Sequence, residues 1–204
     1  MMKDVFVFDD IVPDWLYNAT LNEISSIPVT FGHRGYGPNQ GNVFFSSVWP
    51  SHSLYQVPWF FKATFSALES NITRLGNTVD VILNQCQLNY TTKTLTGGLH
   101  IDVNPEVASW TMVHLIAGDS GLDFWSNMPE EGGEKLGEVE YKDNRCVIFP
   151  SNLLHRGLTP NLVEPRVSVG YVFSGKPPTQ FGYQNNIIFP IFKDEYEKIL
   201  RGDK

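Results

Sequence analysis

The chain has 204 residues, 42% of them hydrophobic and 13% aromatic, which is enough for a single domain (1–204) with a sizeable core. A formal net charge of −7 argues against a nucleic-acid partner, because a broad footprint needs clustered Lys and Arg to displace counterions from phosphates. Two cysteines do not suggest a disulfide framework, the N-terminus has neither the basic start nor the apolar core of a secretory signal, and no apolar run reaches membrane-spanning length, so a soluble protein in a reducing, cytoplasmic setting is expected.

In chain order, Val5-Phe-Val-Phe8 predicts a short strand, and Pro13 opens a helical pattern through about Ile27, since proline suits the first turn of a helix. Residues 31–53 mix glycines with aromatics without a period and predict a long loop, a candidate lid or binding element. Within it Arg34 and Tyr36, with His33 and His52, are candidate substrate contacts or else ordinary surface residues. Leu54, Val57, Phe60, Phe61, Phe65 and Leu68 recur at helical spacing, which predicts a helix from about Ser53 to Leu75 packed on the outer face of a sheet. The period then becomes two: Val79, Val81 and Leu83 lead into Gln85, Gln87 and Asn89, which alternate with Cys86, Leu88 and Tyr90.

Further strands are expected near 109–117, 121–126, 137–142, 145–150, 153–158 and 166–174, separated by Gly-Asp, Glu-Gly-Gly, Lys-Asp-Asn and Pro-Asn turn chemistry. Many short strands in succession predict a sandwich or barrel, so the fold class is mainly β with flanking helices, α+β. The expected division is an N-terminal helical buttress and loop over about 1–78, a β core over about 79–175 and a C-terminal extension over 176–204. Cys86 and Cys146 are expected as buried free thiols and His114 as a satisfied core histidine. The acidic run Pro129–Glu134 reads as a solvated turn.

Against this background His100, Asp102, His155, Arg166 and Ser168 stand out. Residues i and i+2 of a strand share a face, so His100 and Asp102 converge on one point, and the long separation to His155 leaves room for antiparallel strands to run out and return. Two imidazoles and one carboxylate can occupy one face of a six-coordinate iron(II) and leave three positions open. Arg166 and Ser168, again two apart, can grip a carboxylate. Singly, each piece has a plainer reading: a surface His beside an Asp, a capped loop histidine, a solvated strand arginine. Order, spacing and context together favour the site.

The segment from about Gln85 to Phe173 resembles the iron(II)- and 2-oxoglutarate-dependent dioxygenases, and among them the compact prolyl 4-hydroxylase-like branch. The resemblance rests on Gln87-Leu-Asn-Tyr90 ahead of the His-x-Asp, on the His-Arg-x-x-x-Pro around His155, and on Arg166-Val-Ser-Val-Gly-Tyr-Val-Phe173. It implies a double-stranded β-helix, a cupin-like jelly roll with N-terminal helices packed on one sheet. It also implies iron(II) held by His100, Asp102 and His155, 2-oxoglutarate anchored through its distal carboxylate by Arg166 and Ser168, and dioxygen as co-substrate. Tyr90 is a co-substrate hydrogen-bond donor on this reading or, on the plainer one, a buried strand tyrosine. Where relatives carry a Gly-Gly-Glu-Thr-like segment, this chain has Ser120-Gly-Leu-Asp-Phe-Trp-Ser126, which weakens substrate analogies and makes Trp125 a further candidate contact. The implied reaction is hydroxylation of a C–H bond in a prolyl or other peptidyl residue, or in a free amino acid or small metabolite, with succinate and carbon dioxide as co-products. Two other classes stay open at this point: a non-catalytic jelly-roll binding protein, and a cupin-type metalloenzyme without co-substrate.

Overall fold

The computed structural model describes residues 5–10, 12–33, 44–74, 81–95, 97–103 and 109–175. Its elements are β1 (Phe6–Asp9), α1 (Asp14–Glu23), β2 (Thr30–His33), β3 (Phe44–Pro50), α2 (Trp59–Arg74), β4 (Ile82–Thr91), β5 (Trp110–Ala117), β6 (Leu122–Trp125), β7 (Lys135–Val139), β8 (Arg145–Pro150), β9 (Leu154–Gly157) and β10 (Arg166–Ser174). They form a seven-stranded sheet in the order β1-β8-β5-β10-β4-β3-β2 and a three-stranded sheet in the order β7-β6-β9. The pairings are antiparallel, and chain neighbours are often not sheet neighbours: β10 lies between β5 and β4. This is the expected double-stranded β-helix, mainly β with helices on one sheet.

Strand alternation divides the large sheet into two faces with different partners. Cys86 and Leu88 of β4, Met112 and Ile116 of β5, Cys146 and Ile148 of β8, and Val169, Tyr171 and Phe173 of β10 point outward and form one cluster with Leu16 of α1 and Phe60, Phe61, Phe65 and Leu68 of α2. The helices thus cover the outer face. Val113, Leu115, Val147 and Phe149 point the other way and meet Leu122, Phe124 and Val139 of the small sheet in a second cluster between the sheets. Tyr17 of α1 donates from its hydroxyl to Ile116 O (2.7 Å), which ties the first helix to β5.

Both cysteines are free and buried. His114 is a core histidine: Asn144 donates from Nδ2 to Val12 O (2.7 Å), so its Oδ1 faces His114 Nε2 at 3.0 Å and accepts from it. Among the described residues no helix is long and apolar enough to cross a membrane.

Several expectations need correction. Residues 31–53 are not one loop: β2 and β3 add two strands to the large sheet, and a 3-10 turn follows over Ser51–Gln56. Arg34 and Tyr36 lie outside the described residues. The second helix begins at Trp59, not Ser53, and the first gives way to a 3-10 turn at Ile24–Ser26. The stretch assigned to a helical buttress supplies β1, β2 and β3 to the large sheet.

Candidate metal centre and co-substrate pocket

His100, Asp102 and His155 meet as expected, but not on one continuous strand. His100 and His155 form an isolated antiparallel bridge in which His100 N–H donates to His155 O (2.9 Å) and His155 N–H donates to His100 O (3.0 Å). Asp102 N–H donates to Ser151 O (2.9 Å), so the segment carrying the first two donors is fastened to β9 and the turn before it at both residues. The donor atoms of the three side chains lie within 4.8 Å of one another. His100 Nε2 is 3.6 Å from Asp102 Oδ1, and His155 Nε2 is 3.6 Å from Asp102 Oδ2.

The surrounding groups fix each donor. The Nδ1 atoms of His100 and His155 sit 2.8 Å from Gly98 O and Leu153 O. A carbonyl only accepts, so Nδ1 carries a proton in each ring and Nε2, directed at Asp102, is the atom left to bind a metal when the ring is neutral. Thr111 donates to Asp102 Oδ2 (2.6 Å) and lies 2.9 Å from the Ser151 hydroxyl. Burial drives the His155 pKa down to about 4, so its ring is neutral at pH 7. For His100 burial works in the same direction, but the Asp102 carboxylate outweighs it and raises the pKa. Burial opposes the Asp102 charge as well, yet the two histidines and the Thr111 hydroxyl win and hold its pKa at about 2. Two neutral-capable imidazoles and an ionised carboxylate, convergent and already oriented, fit a divalent transition metal.

The same cavity, about 260 Å³, extends to Arg166 and Ser168. Arg166 is 3% exposed. Its Nε donates to Ser120 O (2.9 Å) and its Nη1 to the Ser168 hydroxyl (3.0 Å), whereas Nη2 is buried with no partner. Among the described residues no carboxylate pairs with it, and burial pulls its pKa down to about 10. Two glycines make room for Arg166, one beside its guanidinium and one beside its backbone. A Cβ at Gly157 would stand 2.9 Å from Arg166 Nη1, and one at Gly118, whose φ is +124°, would stand 2.8 Å from Arg166 Cα. An orphaned, pre-positioned guanidinium arm facing the cavity fits a ligand carboxylate. Thr91, opposite Arg166 in the strand register, also lines the cavity and has a buried hydroxyl without a partner.

Two candidates do not belong here. Tyr90 points to the helix side of the sheet, where its hydroxyl donates to Ile24 O (3.0 Å); the cavity side of β4 is Gln85, Gln87, Asn89 and Thr91. Trp125 lies on the outer face of the small sheet, where the Arg156 guanidinium stands 5.8 Å from its ring centroid; Arg156 also pairs with the buried Asp123. Sequence reasoning missed Thr111 and Thr91. The alternation of polar residues along β4 carried the signal for Thr91, while Thr111 had none, because its role depends on where the Asp102 segment docks.

Fold and donor set together define a double-stranded β-helix with a two-histidine, one-carboxylate centre. No family model and no curated protein matches the sequence. Solved structures do share the fold. The non-heme α-ketoglutarate-dependent carbocyclase SnoK from nogalamycin biosynthesis aligns with a TM-score of 0.64 at 10% identity, covering 88% of this chain and 85% of that one. A prolyl hydroxylase from Trichoplax adhaerens, in complex with a hypoxia-inducible factor oxygen degradation domain peptide fragment, aligns at 0.55 and 14% identity, covering 90% and 89%. EctD from S. alaskensis with bound Fe aligns at 0.55 and 17% identity, covering 84% and 73%.

Proposed function

We propose that this chain is an iron(II)- and 2-oxoglutarate-dependent dioxygenase that hydroxylates a C–H bond in a peptidyl residue or a small metabolite. The observation that carries the reading is Arg166: a buried guanidinium with one unsatisfied arm stands in the same cavity as two convergent imidazoles and a carboxylate. A structural metal site has no use for that charge. A co-substrate that ligates metal at one end and ends in a carboxylate at the other uses both.

When bound together, iron(II), 2-oxoglutarate and dioxygen supply an oxidant able to attack an unactivated C–H bond, with succinate and carbon dioxide as co-products. The protein's own tasks can be assigned to residues. His100, Asp102 and His155 would hold the metal. Gly98 O and Leu153 O keep both rings turned inward, and Thr111 keeps the Asp102 carboxylate in one orientation. Arg166, steadied by Ser120 O and Ser168, pairs with the distal carboxylate of the co-substrate. Phe149 and Phe124, with ring centroids 4.5 and 6.3 Å from that of His155, keep water from the buried side of the centre. The solved oxygenases that share the fold support this reading. The prolyl hydroxylase with its peptide supports a peptidyl substrate, and the carbocyclase a small molecule. The buried thiols of Cys86 and Cys146 fit a reducing, cytoplasmic setting.

The test is turnover. Protein supplied with iron(II), 2-oxoglutarate and oxygen is expected to release succinate, faster when a substrate is present, and Asp102→Ala is expected to release none. Succinate formation no higher than in the variant would contradict the proposal.

A further inference from the structure

The turn between β8 of the large sheet and β9 of the small one touches two of the three donor residues. Pro150-Ser151-Asn152-Leu153 closes with Leu153 N–H donating to Pro150 O (2.9 Å). Leu153 O faces Nδ1 of the His155 ring at 2.8 Å, and Ser151 O accepts from Asp102 N–H (2.9 Å). The Ser151 hydroxyl adds a third tie. It stands 2.9 Å from the Thr111 hydroxyl, which reaches Asp102 Oδ2 at 2.6 Å. Ser151 N–H donates to Ser109 O (3.0 Å), so the backbone of Ser151 is fixed on both its polar groups.

Counting hydrogens gives this chain a direction. A hydroxyl has one hydrogen, and an ionised carboxylate can only accept. The Thr111 hydrogen therefore goes to Asp102 Oδ2, and the contact between the two hydroxyls uses the hydrogen of Ser151. Ser151 donates to Thr111, and Thr111 donates to Asp102. Thr111 is 2% exposed and Ser151 is fully buried, so water does not compete for either hydroxyl. In a buried chain each bond polarises the next, and the bond to Oδ2 is strengthened by the one behind it. A carboxylate free to turn about its Cβ–Cγ bond loses that freedom when a metal arrives; one already held at Oδ2 has lost it beforehand.

We propose that Ser151 is a positioning residue of the metal centre: its hydroxyl orients Thr111, which holds the Asp102 carboxylate ready for a metal before the metal arrives. The inference rests on the oxygenase reading for the presence of that metal, and it adds a residue that neither lines the cavity nor touches a ligand of the metal with its side chain.

The test is a double-mutant cycle read as zinc(II) affinity, by competition with a chromophoric chelator, in the parent, Ser151→Ala, Thr111→Val and the double variant. Thr111→Val is expected to weaken zinc binding by roughly ten- to a hundredfold, the usual cost of losing a partner of a metal ligand. Ser151→Ala is expected to cost roughly three- to tenfold, the worth of one buried hydrogen bond, and to cost nothing further in the Thr111→Val background. Thr111→Ser, which keeps the hydroxyl, should retain most of the parent affinity. The visible absorption of bound cobalt(II) should shift in the same direction in Ser151→Ala and Thr111→Val, which a general loss of stability would not produce. Ser151→Gly deletes the same hydroxyl and takes the place of Ser151→Ala if that variant does not fold. Parent affinity and an unchanged cobalt(II) spectrum in the folded Ser151 variant would overturn the inference, as would an equal loss from Ser151→Ala in both backgrounds. A parent that binds no zinc would overturn it together with the oxygenase reading. Zinc binding needs no co-substrate, so a parent that binds zinc but not 2-oxoglutarate would count against the oxygenase reading alone.

Discussion

Arg166 carries its charge into the interior without a counter-ion among the described residues, and burial disfavours that charge. A ligand carboxylate would relieve this. Arg166→Ala is therefore expected to weaken 2-oxoglutarate binding by roughly ten- to a hundredfold, the equivalent of the roughly 1.5–3 kcal/mol of a charge-assisted hydrogen bond, with metal content unchanged. Gly157→Ala is expected to act in the same direction without touching the charge, because its Cβ would stand 2.9 Å from Nη1 and displace the guanidinium. Titration of both variants with the co-substrate, alongside metal analysis, checks this pair; full affinity in either places the anchor elsewhere. Most of these residues were legible in the sequence, since the triad and the Arg-x-Ser pair depend only on residue type and spacing. Tyr90 takes the plainer of its two readings, a strand tyrosine on the helix side of the sheet, in keeping with the period of two. That period puts Tyr90 on the face opposite Asn89 and Thr91, and the structure follows it.

Among the elements, β5, β8 and α1 are joined through a histidine that takes no part in the site. His114 is 1% exposed, and burial holds its pKa down to about 4, below the ordinary value of 6.5. The folded state thus resists a proton that the unfolded chain accepts. This contribution is complete above about pH 6.5 and is lost as pH falls toward 4, by on the order of 3 kcal/mol. Replacing His114 by Gln removes the titration, so the fall in stability between pH 6.5 and 4 should be shallower in His114→Gln than in the parent when both are unfolded with denaturant. Identical slopes would show that His114 is protonated in the folded protein. Element assignment from sequence failed mainly at β3, and the reason is physical. Phe44 and Ser46 are buried while Phe45 and Ser47 are not, so Phe-Phe-Ser-Ser hides an ordinary strand alternation behind residue types that do not alternate. The His100–Asp102 segment shows the converse: a spacing of two brought the side chains together although only an isolated bridge, and no strand, carries them.

Across the whole molecule, metal binding should be felt as stability, because the three donors join the 97–103 segment to β9 between the two sheets. A divalent metal at a hundred times its dissociation constant adds about 2.7 kcal/mol, which for a chain of this size raises the melting temperature by roughly 5–10 °C. The shift is expected in the parent protein and absent in His155→Ala; a shift of equal size in both would mean that the metal binds elsewhere. The architecture was legible from the succession of short strands, whereas the docking of β1 on β8 at one edge of the large sheet and of β3 on β4 toward the other was not, since partners far apart in sequence leave no local signal. If one cavity takes a metal at one end and anchors a dicarboxylate at the other, both are read at once by anaerobic titration of the iron(II)-loaded protein with 2-oxoglutarate, following the metal-to-ligand charge-transfer absorption. A saturable band that is lost in His155→Ala is the predicted result. Iron bound with no band at saturating 2-oxoglutarate would contradict it.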